Sequence, residues 1–349
     1  MPGILLVGSD QVWSLERIYL KYLRQAGVPV ELFAAQNLLY AYHEHSLVNK
    51  VKLKLGFSAI YQTINRQLLD AVEEYKPGII WVFKGMEIWP QTLEWIRSKG
   101  IRLVNYNPDN PFIFTGSGSG NRNVTDSIRL FDLHFTYNLA VKKRLEDVYY
   151  MRTALLPFGF DLDDEIFHRY SPEPEILRTC FVGNPDEKRV GIIMELARAG
   201  LKIDLYGNGW KKFADDPALK VFPPVYGNDF WKIIRSYRVQ LNLMRIHNED
   251  SHNMRSFEVP GIGGIMLAPA TTEHRMFFTD EKEVFLFTDA KDCLAKAHRI
   301  LALSKGDADN IRRQARQRSV DSGYSYKQRT AKALEMMEKL YAEAGNYSF

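Results

Sequence analysis

Five consecutive apolar residues, Ile79-Ile80-Trp81-Val82-Phe83, follow a Lys-Pro-Gly segment of the chain. Successive side chains of a strand point to opposite faces, so both faces of this run are apolar, as in a parallel sheet covered by helices on both sides. The order of short apolar strand, turn and amphipathic helix recurs along the chain. The first helix, for example, has Ser14 as a candidate cap, apolar residues at helical spacing from Leu15 to Ala26, and a stop at Gly27. The sequence therefore predicts an α/β protein.

The chain is 349 residues long, which is more than a single hydrophobic core usually spans. Residues 161–178 are rich in proline and acidic residues and lack a clear period, so we interpret them as an interdomain linker. We predict one Rossmann-like, doubly wound domain over residues 1–160, a second over 179–325, and a C-terminal helix over 326–349. Ligands of such sheets bind beyond the carboxyl ends of the strands, and two facing domains therefore predict a central cleft.

Composition excludes several classes of protein. The chain has 46 basic and 42 acidic residues, a net charge of +4, without the dense basic stripe that nucleic-acid binding requires. No run approaches the ~20 apolar residues of a membrane helix, and the first residues lack the basic segment and cleavage site of a signal peptide. Cys180 and Cys293 are far apart and form neither a disulfide framework nor a CxxC metal motif. We therefore expect a cytoplasmic protein that does not bind nucleic acid.

The segment from Ile246 to Gly264 follows an apolar strand and leads into a predicted helix. A helix that starts after a strand presents free backbone N–H groups and the positive end of its dipole to a ligand. Asp250 and Glu258 are separated by seven residues and can both face one elongated ligand, because a carboxylate accepts hydrogen bonds from vicinal hydroxyls. The alternative is that Asp250 only caps the helix and that Glu258 is solvated.

Two further strand ends carry turns that suit a ligand. The first runs from Gly183-Asn184 into a helix with Lys188 and Arg189 in its first turn. Cations at that end of a helix oppose its dipole, so a bound phosphate explains them; the alternative is a pair of exposed charges. The second is Tyr206-Gly207-Asn208-Gly209-Trp210, whose glycines permit close backbone approach and whose tryptophan can line a base pocket. The alternative there is an ordinary tight turn.

Segments of both domains follow the pattern of a known family. They are Phe181-Val182-Gly183-Asn184 with Arg189, Tyr206 to Trp210, Asn253-Met254-Arg255-Ser256-Phe257-Glu258 with Gly263-Gly264, Tyr324 to Arg329 and, more weakly, Asn107 to Pro111 and Leu156 to Asp161. This pattern resembles the CgeB/YkvP-type spore-protein glycosyltransferases, which are part of the GT-B group-1, or family 4-like, class. The resemblance covers the whole second domain and continues into the first.

The resemblance implies a metal-independent transferase without a cofactor, whose co-substrate is a nucleotide-sugar donor, with a UDP-sugar expected. It implies a GT-B fold in which the second domain binds the donor, the first domain holds the acceptor, and the C-terminal helix crosses back to the first domain. The acceptor is a glycan, a lipid-linked molecule, a protein or a small molecule. The expected setting is the synthesis of cell-surface polysaccharide in a bacterium.

The resemblance also assigns roles to residues. In such enzymes a glutamate at the position of Glu258 binds the donor ribose, an acidic residue eight places earlier lies near the donor sugar, and basic residues at positions like Lys188 and Arg189 face the diphosphate. That acidic residue is Asp250 here, where the pattern usually has Glu. Enzymes of this pattern usually transfer the sugar with retention of configuration. Arg255 can contact phosphate. The expected catalytic residues are Asp250, Arg255 and Asp109. The expected donor-binding residues are Gly183, Asn184, Lys188, Arg189, Tyr206, Gly207, Asn208, Trp210, His252, Asn253 and Glu258.

The first domain contributes weaker candidates. Asp109 is the candidate acid or base on the acceptor side, with a simple turn residue as the alternative. The other acceptor-side candidates, which also follow strands or end them, are Ser9, Asp10, Trp13 and Asn107. The segment Gly116 to Gly120 lacks the Lys-Ser/Thr of a P-loop and predicts a mobile loop near the acceptor.

Two charged segments of the first domain need separate interpretation. His43-Glu44-His45 has no third ligand nearby, so we expect no metal site. Lys50, Lys52 and Lys54 alternate with apolar residues and predict peripheral contact with an anionic membrane; a solvated helix face is the alternative.

Three functions remain open from the sequence. The first is the glycosyltransferase, the second a GT-B-like sugar-nucleotide epimerase, and the third a catalytically silent protein that binds nucleotide sugars. A Rossmann dehydrogenase is disfavoured because Gly8-Ser9-Asp10-Gln11-Val12-Trp13 is not G-x-G-x-x-G.

Overall fold

A computed structural model describes residues 2–54, 59–114, 119–162, 164–170, 174–245 and 250–345. The chain divides into two compact units, Met1–Pro157 with Tyr326–Phe349 (unit 1) and Phe158–Ser325 (unit 2). Each unit contains a six-stranded sheet whose neighbouring strands all pair in parallel. The predicted α/β class with two doubly wound sheets is confirmed.

Unit 1 alternates strands and helices from its first strand onward. Its elements up to residue 157 are β1 (Ile4–Val7), α1 (Leu15–Gln25), β2 (Val30–Phe33), α2 (Ala35–His45), α3 (Leu47–Lys54), α4 (Ile60–Tyr75), β3 (Ile79–Phe83), α5 (Pro90–Ser98), β4 (Arg102–Asn107), α6 (Arg122–Asp126), a 3₁₀ turn (Ile128–Leu130), β5 (Leu133–Thr136), α7 (Leu139–Asp147) and β6 (Thr153–Leu155). The strand order is β2-β1-β3-β4-β5-β6. The order reverses between β1 and β3, and such a reversal leaves a crevice at the carboxyl ends of the two strands.

Unit 2 is continuous in the sequence. Its elements are α8 (Asp164–Arg169), β7 (Ile176–Val182), α9 (Glu187–Arg198), β8 (Ile203–Tyr206), a 3₁₀ turn (Trp210–Lys212), β9 (Leu219–Phe222), α10 (Gly227–Ser236), β10 (Tyr237–Leu241), α11 (Arg255–Gly261), β11 (Met266–Pro269), α12 (Thr272–Phe277), β12 (Phe285–Phe287), α13 (Ala290–Leu301) and α14 (Lys305–Asp321). The strand order is β12-β11-β10-β7-β8-β9, with its reversal between β7 and β10. The crevice of this sheet therefore lies beyond Val182 and Leu241.

The last helix, α15 (Tyr326–Gly345), belongs to unit 1 although unit 2 precedes it in the sequence. It packs against α1 and β4. Tyr326 is buried, and its ring lies 5.8 Å from the ring of Tyr19 on α1, edge to face. The crossing of the C-terminal helix to the first domain is therefore as the resemblance implied.

Two elements correct the interpretation of the sequence. Helix α8 lies inside residues 161–178, and β7 begins at Ile176, so the connection is shorter than the predicted linker. The prolines and acidic residues of this segment concealed both elements. Helix α8 has only six residues, and the charge of Glu175, just before β7, is balanced by ion pairs with Arg238 and Arg312. Strand β9 was not predicted, since it has only four residues and Lys220 interrupts its apolar run.

Candidate functional site

The turns after β7 and β8 touch each other through their backbones. The N–H of Gly183 donates to the carbonyl of Tyr206 at 2.9 Å. A Cβ on Gly207 would overlap the carbonyl oxygen of Gly183, so only glycine allows this approach. The side chain of Asn184 joins the same two turns, because its Oδ1 accepts from the N–H of Asn208 at 3.0 Å. Gly207 is therefore required for the contact between the two turns, and a close approach of its backbone to a ligand stays a prediction.

Arg189 connects the turn after β7 to the segment after β10. Its Nε and Nη2 donate to the carbonyl oxygen of Leu243 at 3.2 and 2.9 Å, and its Nη1 donates to that of Asn184 at 3.1 Å. Asp186 caps α9, and its carboxylate lies 3.4 Å from the Arg189 Nε. Burial lowers the pKa of Arg189 to about 10, and Asp186 opposes this shift. The guanidinium is thus a buried cation that braces the crevice of the sheet.

A cavity of about 310 Å³ opens beside these turns. Arg189, Arg245 and Arg255 contribute three guanidinium groups to its lining. The remaining lining residues are Val182, Gly183, Asn184, Tyr206, Gly207, Pro224, Val225, Tyr226, Asn253 and Met254. Guanidinium groups bind phosphate oxygens through forked hydrogen bonds, and aromatic rings stack on bases, so this lining suits a nucleotide phosphate.

Asn253 lines this cavity and is held by a buried polar network. Its Nδ2 donates to Asn242 Oδ1 at 2.8 Å, and its Oδ1 accepts from the N–H of Ser256 at 3.2 Å. Ser256 Oγ in turn lies 2.7 Å from His274 Nε2. The segment before α11 is therefore fixed from both sides, although α11 itself begins at Arg255 rather than at the predicted Asn253.

Arg255 and Glu258 form an ion pair at the start of α11, in which Arg255 Nη1 donates to Glu258 Oε2. Glu258 is 7% exposed, and burial raises the pKa of its carboxyl, an effect that the Arg255 cation opposes. The Arg255 guanidinium also lies 4.2 Å above the ring of Phe230. Arg255 belongs to the lining of the cavity, and Glu258 does not.

Trp210 and His252 occupy places other than the expected donor pocket. Trp210 is buried in the core of unit 2, where its Nε1 donates to the Gly183 carbonyl at 2.7 Å. His252 is fully buried; its Nδ1 lies 2.5 Å from Glu273 Oε2 and its Nε2 accepts from the N–H of Phe158. The base-lining interpretation of Trp210 is corrected: this ring packs inside the unit and acts on the turn through one hydrogen bond.

Lys188 and Asp250 line a second cavity of about 200 Å³, with Thr271, Thr288 and Asp289 among its polar residues. Adjacent residues of a helix point about 100° apart, so Lys188 and Arg189 reach different cavities. Asp250 Oδ1 accepts from the N–H of Thr272 at 2.6 Å, at the start of α12. Asp250 therefore contacts the start of α12, whose N-cap is Thr271, while Met254 occupies the N-cap position of α11, so the expected capping of α11 by Asp250 is wrong. The preceding motif residues 246–249 lie outside the described residues.

The acceptor-side candidates of unit 1 lie after β1. The Ser9 N–H donates to Glu16 Oε1 at 2.8 Å, and the Asp10 N–H donates to Asn37 Oδ1 at 2.7 Å. Asp10 also lies 3.6 Å from Arg17. Trp13 is 62% exposed. These residues therefore follow the strand end as predicted, while their contact with an acceptor stays a prediction.

The turns after β3 and β4 hold the other acceptor-side candidates. Asp109 Oδ2 lies 2.6 Å from Lys84 Nζ, and the Asp109 N–H donates to Asn107 Oδ1 at 3.0 Å. The sequence did not single out Lys84 or the buried Glu87. Burial raises the pKa of the Glu87 carboxyl to about 7. The sequence did contain a signal for Lys84, since Lys84-Gly85 directly follows an apolar strand and therefore lies at a strand end. Both residues have positive φ.

The structure gives less information on the remaining sequence candidates, which are a metal site, a membrane span, the Lys50 segment and the Gly116 segment. Among the described ranges no group of three His, Cys, Asp or Glu side chains has the arrangement of a metal site, and no described helix has the length and hydropathy to span a bilayer. The Lys50 segment forms helix α3, on which Leu47 and Val48 are exposed. Of Gly116 to Gly120, residues 116–118 lie outside the described residues.

Comparison with known proteins bears on the fold first. Sucrose-phosphate synthase from Thermosynechococcus elongatus superposes with a TM-score of 0.71 and 10% identity, over 98% of this chain and 100% of that chain. HepE of Anabaena, solved with UDP and glucose, gives 0.63 and 11%, over 97% and 100%. The chain has the GT-B fold.

A third solved structure and a family model also match the chain. A proposed UDP-N-acetylglucosamine 2-epimerase of Listeria monocytogenes superposes with a TM-score of 0.58 and 12% identity, over 98% of this chain and 97% of that chain. The model of the glycosyl transferase-like family matches residues 189–335. No curated protein sequence matches the chain. The family match begins at Arg189 and includes Arg245 and Arg255, so it contains the three arginines of the cavity, whereas the lining residues Val182, Gly183 and Asn184 precede it.

Proposed function

We propose that the protein is a glycosyltransferase that takes a sugar from a nucleotide-diphosphate donor. The observation that carries the proposal is the cavity beyond β7 and β10, where Arg189, Arg245 and Arg255 converge at the reversal of a parallel sheet. The glycosyl transferase-like family match over residues 189–335 supports it, as do GT-B neighbours that include a UDP complex. We infer that a UDP-sugar binds in this cavity.

The chemistry requires a site of this charge. Transfer breaks the bond between the sugar C1 and the oxygen of the β-phosphate, forms a bond from C1 to an acceptor oxygen, and releases the acceptor proton. Negative charge grows on the departing diphosphate, so fixed cations beside it stabilise the transition state more than the bound donor. The three guanidinium groups can supply this stabilisation without a metal ion, and metal independence is part of the proposal.

The finer assignments are also proposals. Gly183, Asn184, Tyr206, Gly207, Asn208 and Asn253 would form the donor site with the arginines, and Lys188 and Asp250 would contact the donor from the second cavity. Unit 1 would bind the acceptor through Ser9, Asp10, Trp13, Asn107 and Asp109. The resemblance to the CgeB/YkvP-type enzymes supports a retaining reaction.

We infer that α3 places the enzyme on an anionic membrane surface in the cytoplasm of a bacterium, where a glycan or lipid-linked acceptor of the cell surface is available. Exposed Leu47, Val48 and Val51 stand beside Lys50 and Lys52 on this helix, which is the composition of an interfacial segment. Acceptors that are proteins or small molecules would not need this surface.

Calorimetric titration with UDP, GDP, dTDP and ADP tests the donor site. We expect one nucleotide to bind and Arg245→Met to weaken it about tenfold, the effect of one lost charged hydrogen bond, without a change in melting temperature, because Arg245 is exposed. Arg299→Met, an exposed arginine of α13 outside the cavity, is the matched control. If none of the four nucleotides binds, the donor assignment is wrong.

A sugar-nucleotide epimerase is the second candidate, favoured by the similarity to the Listeria protein. Incubation of the bound UDP-sugar in deuterated water separates the two reactions. Deuterium at sugar C2 without release of UDP would identify the epimerase, whereas release of UDP without deuterium supports transfer or slow hydrolysis. Binding without either change, when glycan and lipid-linked acceptors are also supplied, would identify a silent nucleotide-sugar-binding protein.

A further inference from the structure

A small cavity of about 10 Å³ lies in unit 1, among the carboxyl ends of β3, β4 and β5. Its polar lining residues are Lys84, Asn105, Asn107, His134 and Thr136, and the other described lining residues are apolar. Apart from Lys84, every one of these lining residues is buried. A volume of this size holds about one water molecule, provided that roughly two to four polar groups bind it.

The amide of Asn107 has one end without a partner. Asn107 is 5% exposed, and its Nδ2 is a buried donor that has no hydrogen-bond partner in the described part of the chain. Its Oδ1 accepts from the N–H of Asp109 at 3.0 Å. This bond fixes the orientation of the amide, because the opposite orientation would set Nδ2 against the Asp109 N–H. A buried amide donor without a partner is unfavourable, so this site favours a ligand that can accept a hydrogen bond.

His134 and Thr136 add acceptors to the same lining. The His134 Nε2 lies 2.8 Å from the carbonyl oxygen of Ile128, which can only accept, so Nε2 carries the ring proton. Burial lowers the pKa of His134 to about 4, and the neutral ring therefore has Nδ1 as an acceptor at pH 7. Thr136 Oγ1 accepts from the N–H of Asn138 at 3.3 Å, and a hydroxyl oxygen has two lone pairs. The lining thus combines an unpaired donor with acceptors, as a bound water requires.

We propose that a water molecule binds in this cavity as the partner of Asn107 Nδ2, and that Asn107 is a positioning residue whose amide joins this water to the turn that carries Asp109. This role of Asp109 rests on the proposed function, in which it contacts the acceptor. The positioning role replaces the acceptor contact proposed for Asn107, because a side chain that is 5% exposed presents little surface to an acceptor.

The surrounding contacts show how the position of Asp109 depends on this amide. The Asp109 backbone is held by Asn107 Oδ1, and its Oδ2 lies 2.6 Å from Lys84 Nζ. The N–H of Lys84 donates to the carbonyl of Tyr106 at 2.9 Å, which ties the turn after β3 to β4. An amide bonded at both ends has one orientation. Without the water, Nδ2 gains a partner only by leaving the cavity, and the bond from Oδ1 to the Asp109 turn is then lost.

A crystal structure of the full chain, at a resolution that shows ordered water, tests the bound molecule directly. We expect density for a water oxygen about 2.7–3.2 Å from Asn107 Nδ2. A cavity without density would overturn the proposal, and so would an Nδ2 that donates to a protein group. This result does not depend on any activity of the protein.

Release of UDP from UDP-glucose, with water in place of the acceptor, tests the positioning role. We expect Asn107→Leu and Asp109→Asn each to lower kcat about 10- to 100-fold, because the acceptor-side carboxylate is misplaced or lost, with KM for UDP-glucose unchanged. The double variant should be no slower than the slower single variant, since the two residues act as one unit. Asn107→Ser should recover part of the rate, because a serine hydroxyl can accept from the N–H two residues later. A raised KM with wild-type kcat in Asn107→Leu would overturn the positioning role.

Asn105→Leu is the matched control variant. Asn105 lies two residues earlier on the same face of β4 and lines the same cavity, but its Nδ2 has a partner, the carbonyl of Val82 at 3.1 Å. We expect this variant to lower the melting temperature while kcat stays at the wild-type value. An equal loss of kcat in Asn105→Leu would attribute the Asn107 effect to general destabilisation and overturn the positioning role.

Failure of the proposed function gives a different result. If the wild type binds no nucleotide and releases no UDP, the glycosyltransferase assignment fails, while the crystal structure still decides for or against the water. If Asn107→Leu does not fold, Asn107→Ser provides the comparison: its kcat should lie between those of the wild type and Asp109→Asn, and wild-type kcat together with an empty cavity in the wild type would refute both parts of the proposal.

Discussion

Gly207→Ala tests the backbone contact on which the cavity of unit 2 depends. An added Cβ would overlap the Gly183 carbonyl oxygen and lie 2.9 Å from its carbon, where ordinary contact begins at 3.4 Å. Both atoms are backbone, so the two turns must separate. The separation breaks the hydrogen bond from Gly183 N–H to Tyr206 and the bond from Trp210 Nε1 to Gly183. The φ of Gly207, +156°, adds strain for any residue with a side chain.

The two hydrogen bonds contribute about 1 kcal/mol each and the backbone strain about 1–2 kcal/mol, giving a loss of about 3–4 kcal/mol. For a unit of this size, that loss lowers the melting temperature by about 6–16 °C. Differential scanning calorimetry measures it, and UDP affinity should fall as well, since both glycines line the cavity. Gly191→Ala on α9 is the control, because no atom lies within 4 Å of its added Cβ. A melting temperature for Gly207→Ala within a degree of wild type would refute the reasoning.

Two other substitutions have defined outcomes. Burial raises the pKa of Glu87 from 4.5 to about 7, so the folded chain keeps a proton that the unfolded chain has released. The free energy of unfolding of the wild type should therefore fall by about 3 kcal/mol as the pH rises from 4.5 to about 7, whereas that of Glu87→Gln should not. Urea unfolding at pH 5 and pH 8 measures this loss in both proteins, and equal losses would contradict the assignment. Trp210→Phe keeps a buried aromatic ring but removes the pyrrole part of the indole and its bond to Gly183. It should cost at least about 1–2 kcal/mol in the same assay, because a cavity in the core adds to the lost bond; an unchanged stability would show that the bond contributes nothing.

The fold could be predicted because its signal is local. The run Ile79 to Phe83 is buried on both faces in β3, and α1 begins after Ser14 as its cap predicts. Elements that depend on tertiary packing were not predicted. Strand β9 places Lys220 between apolar residues and is defined by its pairing with β8, which no feature of its four residues reveals.

The site was predicted at the level of strand ends but not of side chains. Spacing placed Lys188 and Arg189 on one phosphate, whereas the helix turns them toward different cavities. Arg245 follows β10 in a segment without a pattern, and its place in the cavity comes only from the strand order. Trp210 looked like a ligand-binding aromatic because a turn motif does not show which way a ring points.

The assignment of α15 to unit 1 has a consequence for the order of folding during synthesis. Unit 2 is one uninterrupted stretch and can assemble as soon as it leaves the ribosome. Unit 1 is translated first yet remains incomplete, because the Tyr19 ring meets Tyr326 only after the whole of residues 158–325 has been made. Until then α1 and β4 lack the helix that covers them, so the older half of a nascent chain is the half that is finished last.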